Sequence, residues 1–457
     1  MKKSHYRQIK TSTTGFLLLT GVAFSLFIIS SALAAEPLWK YPLSPNATFE
    51  GNLNILELSD DGQYIAAYTA DDNILRYFDQ AGKLLWEKHF TAERPPWISS
   101  VSIAHDDSSI AVSQLVPGCC RGSVTDTILN RIILFDRNGT ILWNYTTMSP
   151  PLTVAISPDG SVLYVGTEDK RIILLEQHAA VREPITVDAP VHAFAISGDG
   201  DTIVAAGTNP GRTLSGEVSY PYDVFVFNRS GSVLWKFRTG GPNSVAISED
   251  GQKIAVVGGT FGNLRVFDRN GTLLFERSFR GTGTTLSMSG DASRIAVGTA
   301  EGSVYGLDSV GRTIWNVTTP RLSRTIAVAR YGGSVAFGNG SMVVQVDQNG
   351  SEIWEYPTGA WVSSVALTPY GQYTCAIADT VSFFKNPDNS GIIYDNTGGI
   401  VLPKNESIYI DPISSHPSSS SISPSTTRPA PLPAFITILA LGCLVIVMSI
   451  RKKGDWK

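Results

Sequence analysis

Eight copies of one pattern, about 40 residues apart, constrain this chain more than any other feature. Each copy shows apolar alternation and then a Ser-x-Asp-Gly turn. A short apolar run follows, then a second run ending in Phe-Asp, an Asn-Gly-like turn and Leu-Trp. The clearest first turns are Ser59-Asp60-Asp61-Gly62, Ser157-Pro158-Asp159-Gly160, Ser197-Gly198-Asp199-Gly200 and Ser248-Glu249-Asp250-Gly251. Weaker copies centre on Asp106, Asp291, Tyr331 and Tyr370. With Gly62, Asp107, Gly160, Gly200, Gly251, Ala292, Gly332 and Gly371 taken as equivalent, the spacings are 45, 53, 40, 51, 41, 40 and 39.

Such a period, with two insertions, predicts an all-β, eight-bladed β-propeller of four short antiparallel strands per blade, here A to D. A seven-bladed ring is the alternative, but it would make each blade too large. Phe78-Asp79, Phe135-Asp136, Phe227-Asn228 and Phe267-Asp268 end C strands. The turns after them include Asn138-Gly139, Asn270-Gly271 and Asn349-Gly350, which read as positive-φ, two-residue hairpins. An aromatic then recurs at one slot: Trp86, Trp143, Trp235, Phe275, Trp315 and Trp354. With Trp39, six of the nine tryptophans occupy that slot, which points to packing between blades. Eight D strands exist only if Leu38-Trp39-Lys40-Tyr41 completes the last blade, whose other strands run over 362–385. Blade three uses Val181 to Val187 as its D strand, and Asn386 to Ile410 could compete for the closing place.

The two ends suggest a membrane topology. Lys2, Lys3, Arg7 and Lys10 precede an apolar run from Gly15 to Ala34 that ends in Ala32-Leu33-Ala34. This reads as a signal peptide over 1–34 with cleavage after Ala34, an uncleaved anchor being the rival. Residues 35–400 form the propeller ectodomain and 401–433 a stalk, Ser/Pro-rich from Asp411. Ala434 to Ile450 is 17 residues without an ionisable side chain, a transmembrane helix. Arg451, Lys452 and Lys453 then open a cytoplasmic tail over 451–457. The expected location is the cell membrane, single-pass, with the propeller outside.

Chemistry is sparse. The 36 basic and 40 acidic residues leave a net charge of −4, too small to indicate a nucleic-acid partner. The histidines have no zinc spacing, no Gly-x-Ser-x-Gly occurs, and no Gly-rich loop precedes a helix. The Asp-rich turns are too short for a calcium loop, so Asp and Gly there serve the hairpins. Cys375 lies in a B strand and Cys443 in the span. Cys119 and Cys120 are adjacent in the first insertion and are expected to form a loop-stiffening disulfide or to stand as two free thiols.

Topology sorts the loops into two faces. A–B and C–D turns share one face and are minimal. D–A and B–C loops share the other, with both insertions, Leu115 to Asn130 and Asn209 to Tyr222. Long loops on a rigid scaffold are where binding concentrates. The candidate binding face therefore comprises Arg94, Trp97, Arg121, Tyr220, Tyr222, Arg238, Arg280, Arg324 and Trp361, with Arg321 nearby. Asp71, Asp72, Glu168, Asp169 and Glu301 on B–C loops dilute its positive field.

Nine Asn-x-Ser/Thr sequons occur: Asn46, Asn138, Asn144, Asn228, Asn270, Asn316, Asn339, Asn349 and Asn405. Asn144 and Asn316 lie on outer D strands, where a glycan is tolerated, and Asn46 and Asn405 are the other candidates. Several of the rest are explained by hairpin-turn chemistry.

The run Tyr77-Phe78-Asp79-Gln80-Ala81-Gly82-Lys83-Leu84-Leu85-Trp86 resembles the PQQ-type repeat of eight-bladed quinoprotein propellers. The Ser-x-Asp-Gly turns look equally like WD-type propellers of microbial surface proteins. The resemblance covers residues 38 to 400. It implies an architecture and, for a quinoprotein alcohol dehydrogenase, a vicinal cysteine pair beside the cofactor that Cys119 and Cys120 could match. The calcium-ligand and catalytic-aspartate motifs of that enzyme class are absent. The expected function is thus a membrane-anchored, non-catalytic binding or scaffold module for a surface protein or glycan, with neither PQQ nor calcium bound. The alternative is a PQQ-dependent dehydrogenase.

Overall fold

A computed structural model describes residues 33–34, 36–43, 54–59, 61–90, 97–116, 130–176, 182–207, 223–259, 262–319, 323, 325–386, 393–394 and 400–401. The described residues form an all-β, eight-bladed propeller without helices. Blade 1 has strands Ile55–Leu58, Tyr64–Thr69, Ile74–Asp79 and Leu84–His89. Blades 2, 4, 5, 6 and 7 repeat this order, with A strands Trp97–Ile103, Val191–Ile196, Pro242–Ile247, Gly283–Met288 and Ile326–Val328. Blade 3 opens with Pro151–Ile156, and its D strand is only Ile185–Thr186. That falls inside the expected 181–187 segment, of which 181 lies outside the described residues.

The A strands are innermost. Each packs on the next around a ring, and the strand of blade 1 packs on that of blade 8, Ser364–Leu367. Small hydroxyls stitch them together. Ser100 Oγ donates to the Val154 carbonyl at 3.2 Å, and Val365 N donates to Thr325 Oγ1 at 2.8 Å. Between blades lie apolar clusters, such as the one joining Phe194, Phe225 and Phe227 to Tyr164 and Leu174.

The eight positions taken as equivalent share one backbone state. Gly62, Asp107, Gly160, Gly200, Gly251, Ala292, Gly332 and Gly371 all have φ between 54° and 73°. The Ser-x-Asp motif has a local cause as well. Ser59 Oγ donates to Asp61 Oδ1 at 2.8 Å and accepts the Tyr64 N–H at 2.9 Å. Ser157 and Asp159, Ser248 and Asp250, and Ser289 and Asp291 repeat the Ser-to-Asp bond. The Asp carboxylates are thus occupied in closing hairpins.

The C–D turns correct one expectation. They are not two-residue hairpins with two left-handed residues, because only the glycine has positive φ, as at Gly139 (78°) and Gly271 (87°). Gly139 N donates to the Asp136 carbonyl at 3.0 Å, and Asp136 N to the Thr140 carbonyl at 2.8 Å. This is a type I turn followed by a left-handed residue. The leading Asp organises it: Asp136 Oδ1 accepts the N–H groups of Asn138 (2.9 Å) and Thr140 (2.7 Å).

The recurring aromatic clamps neighbouring blades. Trp86 Nε1 donates to the Arg137 carbonyl of blade 2 at 2.9 Å, and Trp235 Nε1 to the Arg269 carbonyl of blade 5 at 2.8 Å. Each ring lies over the turn glycine of the next blade, so a Cβ on Gly139 would stand 2.8 Å from Trp86.

Closure follows the expected route. Trp39–Pro42 pairs antiparallel with Thr380–Lys385 as the D strand of blade 8. The short hairpin of Ile393–Tyr394 and Ile400–Val401 pairs with itself. Leu33–Ala34 runs parallel along the outer edge of blade 7, opposite Trp354 and Glu355. No helix among the described residues is long and apolar enough to cross a membrane, and 434–450 lies outside them.

Candidate functional site

The two faces of the ring differ in construction. On the A–B/C–D face the turns of blades 4 to 8 are joined by backbone hydrogen bonds into an inner belt. Gly198 N donates to the Glu249 carbonyl, Glu249 N to the Gly290 carbonyl, and Gly290 N to the Arg330 carbonyl, each at 2.7 Å. Tyr331 N then donates to the Pro369 carbonyl at 3.1 Å. Across this belt the Arg330 guanidinium of blade 7 forms an ion pair with Glu249 of blade 5, its Nε standing 3.3 Å from Oε2. It passes blade 6, whose belt residue is Gly290 and offers no side chain in the way. The Arg330 side chain is only 6% exposed. Tyr331 packs against Tyr370 with ring centroids 4.4 Å apart, and burial pushes its hydroxyl pKa up to about 12.

Sequence reasoning missed this bridge. The x position varies from copy to copy and so carries no repeat signal. The available signal was one acidic and one basic x residue, Glu249 and Arg330, flanking a glycine copy.

The chain enters and leaves on this same face. Trp39 begins the closing strand opposite Phe383, and Asn386 N donates to the Gln372 carbonyl at 2.8 Å beside the blade 8 A–B turn.

The D–A/B–C face is built differently. In blades 2 to 6 the innermost strand carries a β-bulge at one equivalent position, occupied by Ser99, Leu152, His192, Asn243 and Thr284. Bulges re-aim side chains and are frequent beside functional sites. Ser99 Oγ donates to the Pro151 carbonyl of blade 3 at 2.8 Å. His192 is largely buried, and burial alone lowers its pKa to about 4. At the matching place in blades 1 and 8, Asn54 Nδ2 donates to Ser363 Oγ at 3.1 Å across the closure.

Of the sequence candidates, the structure places Trp97, Arg238, Arg280 and Trp361 on this face. Trp97 starts the blade 2 inner strand and is 52% exposed. Trp361 is half-buried at the equivalent point before blade 8, so the two tryptophans flank blade 1. Arg238 and Arg280 are exposed on successive D–A loops. Arg94, Arg121, Tyr220, Tyr222, Arg321, Arg324, Cys119 and Cys120 lie outside the described residues, as do Asn46 and Asn405.

Most of the acids set against the arginines have structural duties. Asp72 pairs with Arg76 and accepts the Thr69 hydroxyl at 2.5 Å. Asp169 accepts from Thr167 Oγ1 at 2.5 Å. Glu301 Oε2 accepts the Thr282 N–H at 2.6 Å, capping the loop that carries Arg280. Asp223 is buried, and its two oxygens take the N–H groups of Thr239, Gly240 and Gly241, fixing the loop that carries Arg238. Among the described residues no three His, Cys, Asp or Glu side chains are grouped to hold a metal ion. Cys375 is fully buried, and burial raises its thiol pKa.

A family model described as outer membrane protein assembly factor BamB matches residues 223–378. No curated protein matches the chain. Solved structures similar in fold include the C-terminal WD40 domain of Sif2, with a TM-score of 0.61 and 13% identity over 78% of this chain and 99% of that one. BamB from Moraxella catarrhalis aligns with a TM-score of 0.52 and 16% identity over 76% of this chain and 100% of that one. At such identities the likeness speaks for the fold: the chain is a β-propeller, with a PQQ-like repeat match over residues 223–378.

Proposed function

We propose that this propeller is a membrane-anchored, non-catalytic binding or scaffold module outside the cell, with its protein or glycan ligand docking on the D–A/B–C face. The observation that carries this reading is the inequality of the two faces. The A–B/C–D side is braced over blades 5 to 7 by the Arg330–Glu249 pair and over blades 4 to 8 by the backbone belt, and the propeller's first and last strands open onto it. The opposite side presents exposed Trp97 at the start of a strand, and exposed Arg238 and Arg280 on loops held by Asp223 and Glu301. Exposed aromatics and arginines on a rigid frame suit recognition. A tether at the closed face points the other face outward.

Redox chemistry with PQQ and calcium fits the described residues poorly. Several inner-strand hydroxyls, among them Ser100, Ser244 and Thr325, are committed to bonds between blades. No carboxylate cluster is available among the described residues to hold calcium beside a quinone.

The test is capture of surface proteins and arrayed glycans by the full chain in nanodiscs. Trp97→Ala and Arg280→Glu should each reduce capture at least tenfold without changing the melting temperature. Unchanged capture by both, or sustained turnover of an alcohol or sugar on adding PQQ and calcium, overturns the reading.

A further inference from the structure

The outer collar of the propeller carries an unusual run of exposed aliphatic side chains. Ile141 and Leu142 are 52% and 53% exposed, and Leu273 and Leu274 are 46% and 48% exposed. They sit where each D strand is bulged against its C strand, so the residue before the clamping aromatic faces out. At the tips of the C–D turns stand three sequons, Asn138-Gly139-Thr140 and Asn270-Gly271-Thr272 beside these pairs and Asn349-Gly350-Ser351 in blade 7.

Turn geometry does not account for these asparagines. The leading Asp136, Asp268 and Asp347 supply the oxygens that accept the turn N–H groups. The following glycine supplies the left-handed residue. The position between them holds Ala81 in blade 1, Ser230 in blade 4 and Val310 in blade 6, in turns of the same hydrogen-bond pattern. Asn138, Asn270 and Asn349 are exposed, as are the hydroxyl residues Thr140, Thr272 and Ser351.

We infer that Asn138, Asn270 and Asn349 are N-glycosylation sites that, with Asn144 and Asn316, place a sugar collar over the exposed aliphatic rim. The inference rests on the reading that the propeller is exported. In each transfer the Asn Nδ2 forms a bond to the anomeric carbon of a lipid-phosphate-linked sugar. The bond from that carbon to the phosphate oxygen breaks, the lipid phosphate leaves with the electron pair, and the amide proton passes to a base of the transferase. Apolar CH faces of the sugars then shield Ile141, Leu142, Leu273 and Leu274 from water.

Two other sequons are not expected to carry sugar. Asn228 is half-buried and stands in the place of the leading Asp, its Oδ1 accepting from Ser230 and Ser232. Asn339 is half-buried with its Oδ1 shut away from solvent.

The experiment expresses the full chain in insect cells and purifies it from membranes. Peptide mass spectrometry follows glycan release by an amidase in heavy-oxygen water, which marks each released asparagine. The expected result is more than half occupancy at Asn138, Asn270 and Asn349, and under a tenth at Asn228 and Asn339. A Thr140→Ala, Thr272→Ala, Ser351→Ala variant should lose three glycan masses and bind more of a hydrophobic dye. Sugar on Asn144 and Asn316 with none on the three turn sites overturns this inference alone. A chain bare at every sequon overturns the export reading as well. Equal occupancy at Asn228, Asn339 and the turn sites overturns the selection argued from exposure.

Discussion

Trp39 stacks on Phe383 across 344 positions of sequence, with ring centroids 5.5 Å apart and planes 12° from parallel. The same indole donates Nε1–H to the Gln80 carbonyl of blade 1 at 2.9 Å. One side chain from the start of the propeller thus binds its last blade to its first. Trp39→Ala removes a half-buried aromatic and a hydrogen bond, and should lower unfolding free energy by about 3 kcal/mol. Urea titration of the full chain measures this. An unchanged midpoint would show that the ring closes by other means.

That closure was legible because Leu38-Trp39 copies the ending of six other repeats. The turn positions were legible for the same reason: Asp107 and Ala292 could be aligned with glycines, and both have positive φ. The site was harder to read. The Arg330–Glu249 pair joins copies 81 residues apart and depends on which blades are next but one. Periodicity fixes where a residue sits in its blade but does not say which side chains meet across the axis. The inner-strand bulges were equally hidden, since an extra residue within a short apolar run leaves the spacing of the repeats intact.

Gly271 and Gly160 separate two costs of adding a methyl group. Both have positive φ, 87° and 67°. A Cβ on Gly160 meets nothing within 4 Å, whereas one on Gly271 would stand 2.9 Å from the Trp235 ring. Gly160→Ala should therefore cost only the left-handed backbone penalty, about 1 kcal/mol. Gly271→Ala should cost about 2 kcal/mol or more, because the clamping indole must also shift. Equal losses in chemical denaturation would show that the aromatic slot tolerates displacement.

His192 should make stability depend on pH below neutrality. Burial lowers its pKa to about 4, from 6.5 for a free imidazole. The unfolded chain therefore takes up a proton below pH 6.5 that the folded chain refuses until about pH 4. Stability is complete above that range and declines as pH falls through it, by up to about 3 kcal/mol. His192→Gln should flatten this part of the profile relative to wild type. A wild-type profile that stays level from pH 7 to pH 4 contradicts the assignment.

Glu249 and Arg330 test whether the inner belt stabilises the closed face. Arg330 is buried to 6% of its side chain, while Glu249 keeps 23% exposure and some contact with water. Removing the carboxylate leaves a guanidinium with little water around it, which is the costly way to break such a pair. Glu249→Ala should therefore destabilise by about 3 kcal/mol. Glu249→Gln keeps a hydrogen-bond acceptor and should lose less. The double variant Glu249→Ala, Arg330→Met removes both charges, and should recover much of the loss because the buried guanidinium goes with its carboxylate. Unfolding energies of Glu249→Ala, Arg330→Met, the double variant and wild type complete the cycle. A double variant as unstable as the sum of its single changes would mean that the two side chains act independently, and that the belt rests on its backbone hydrogen bonds alone.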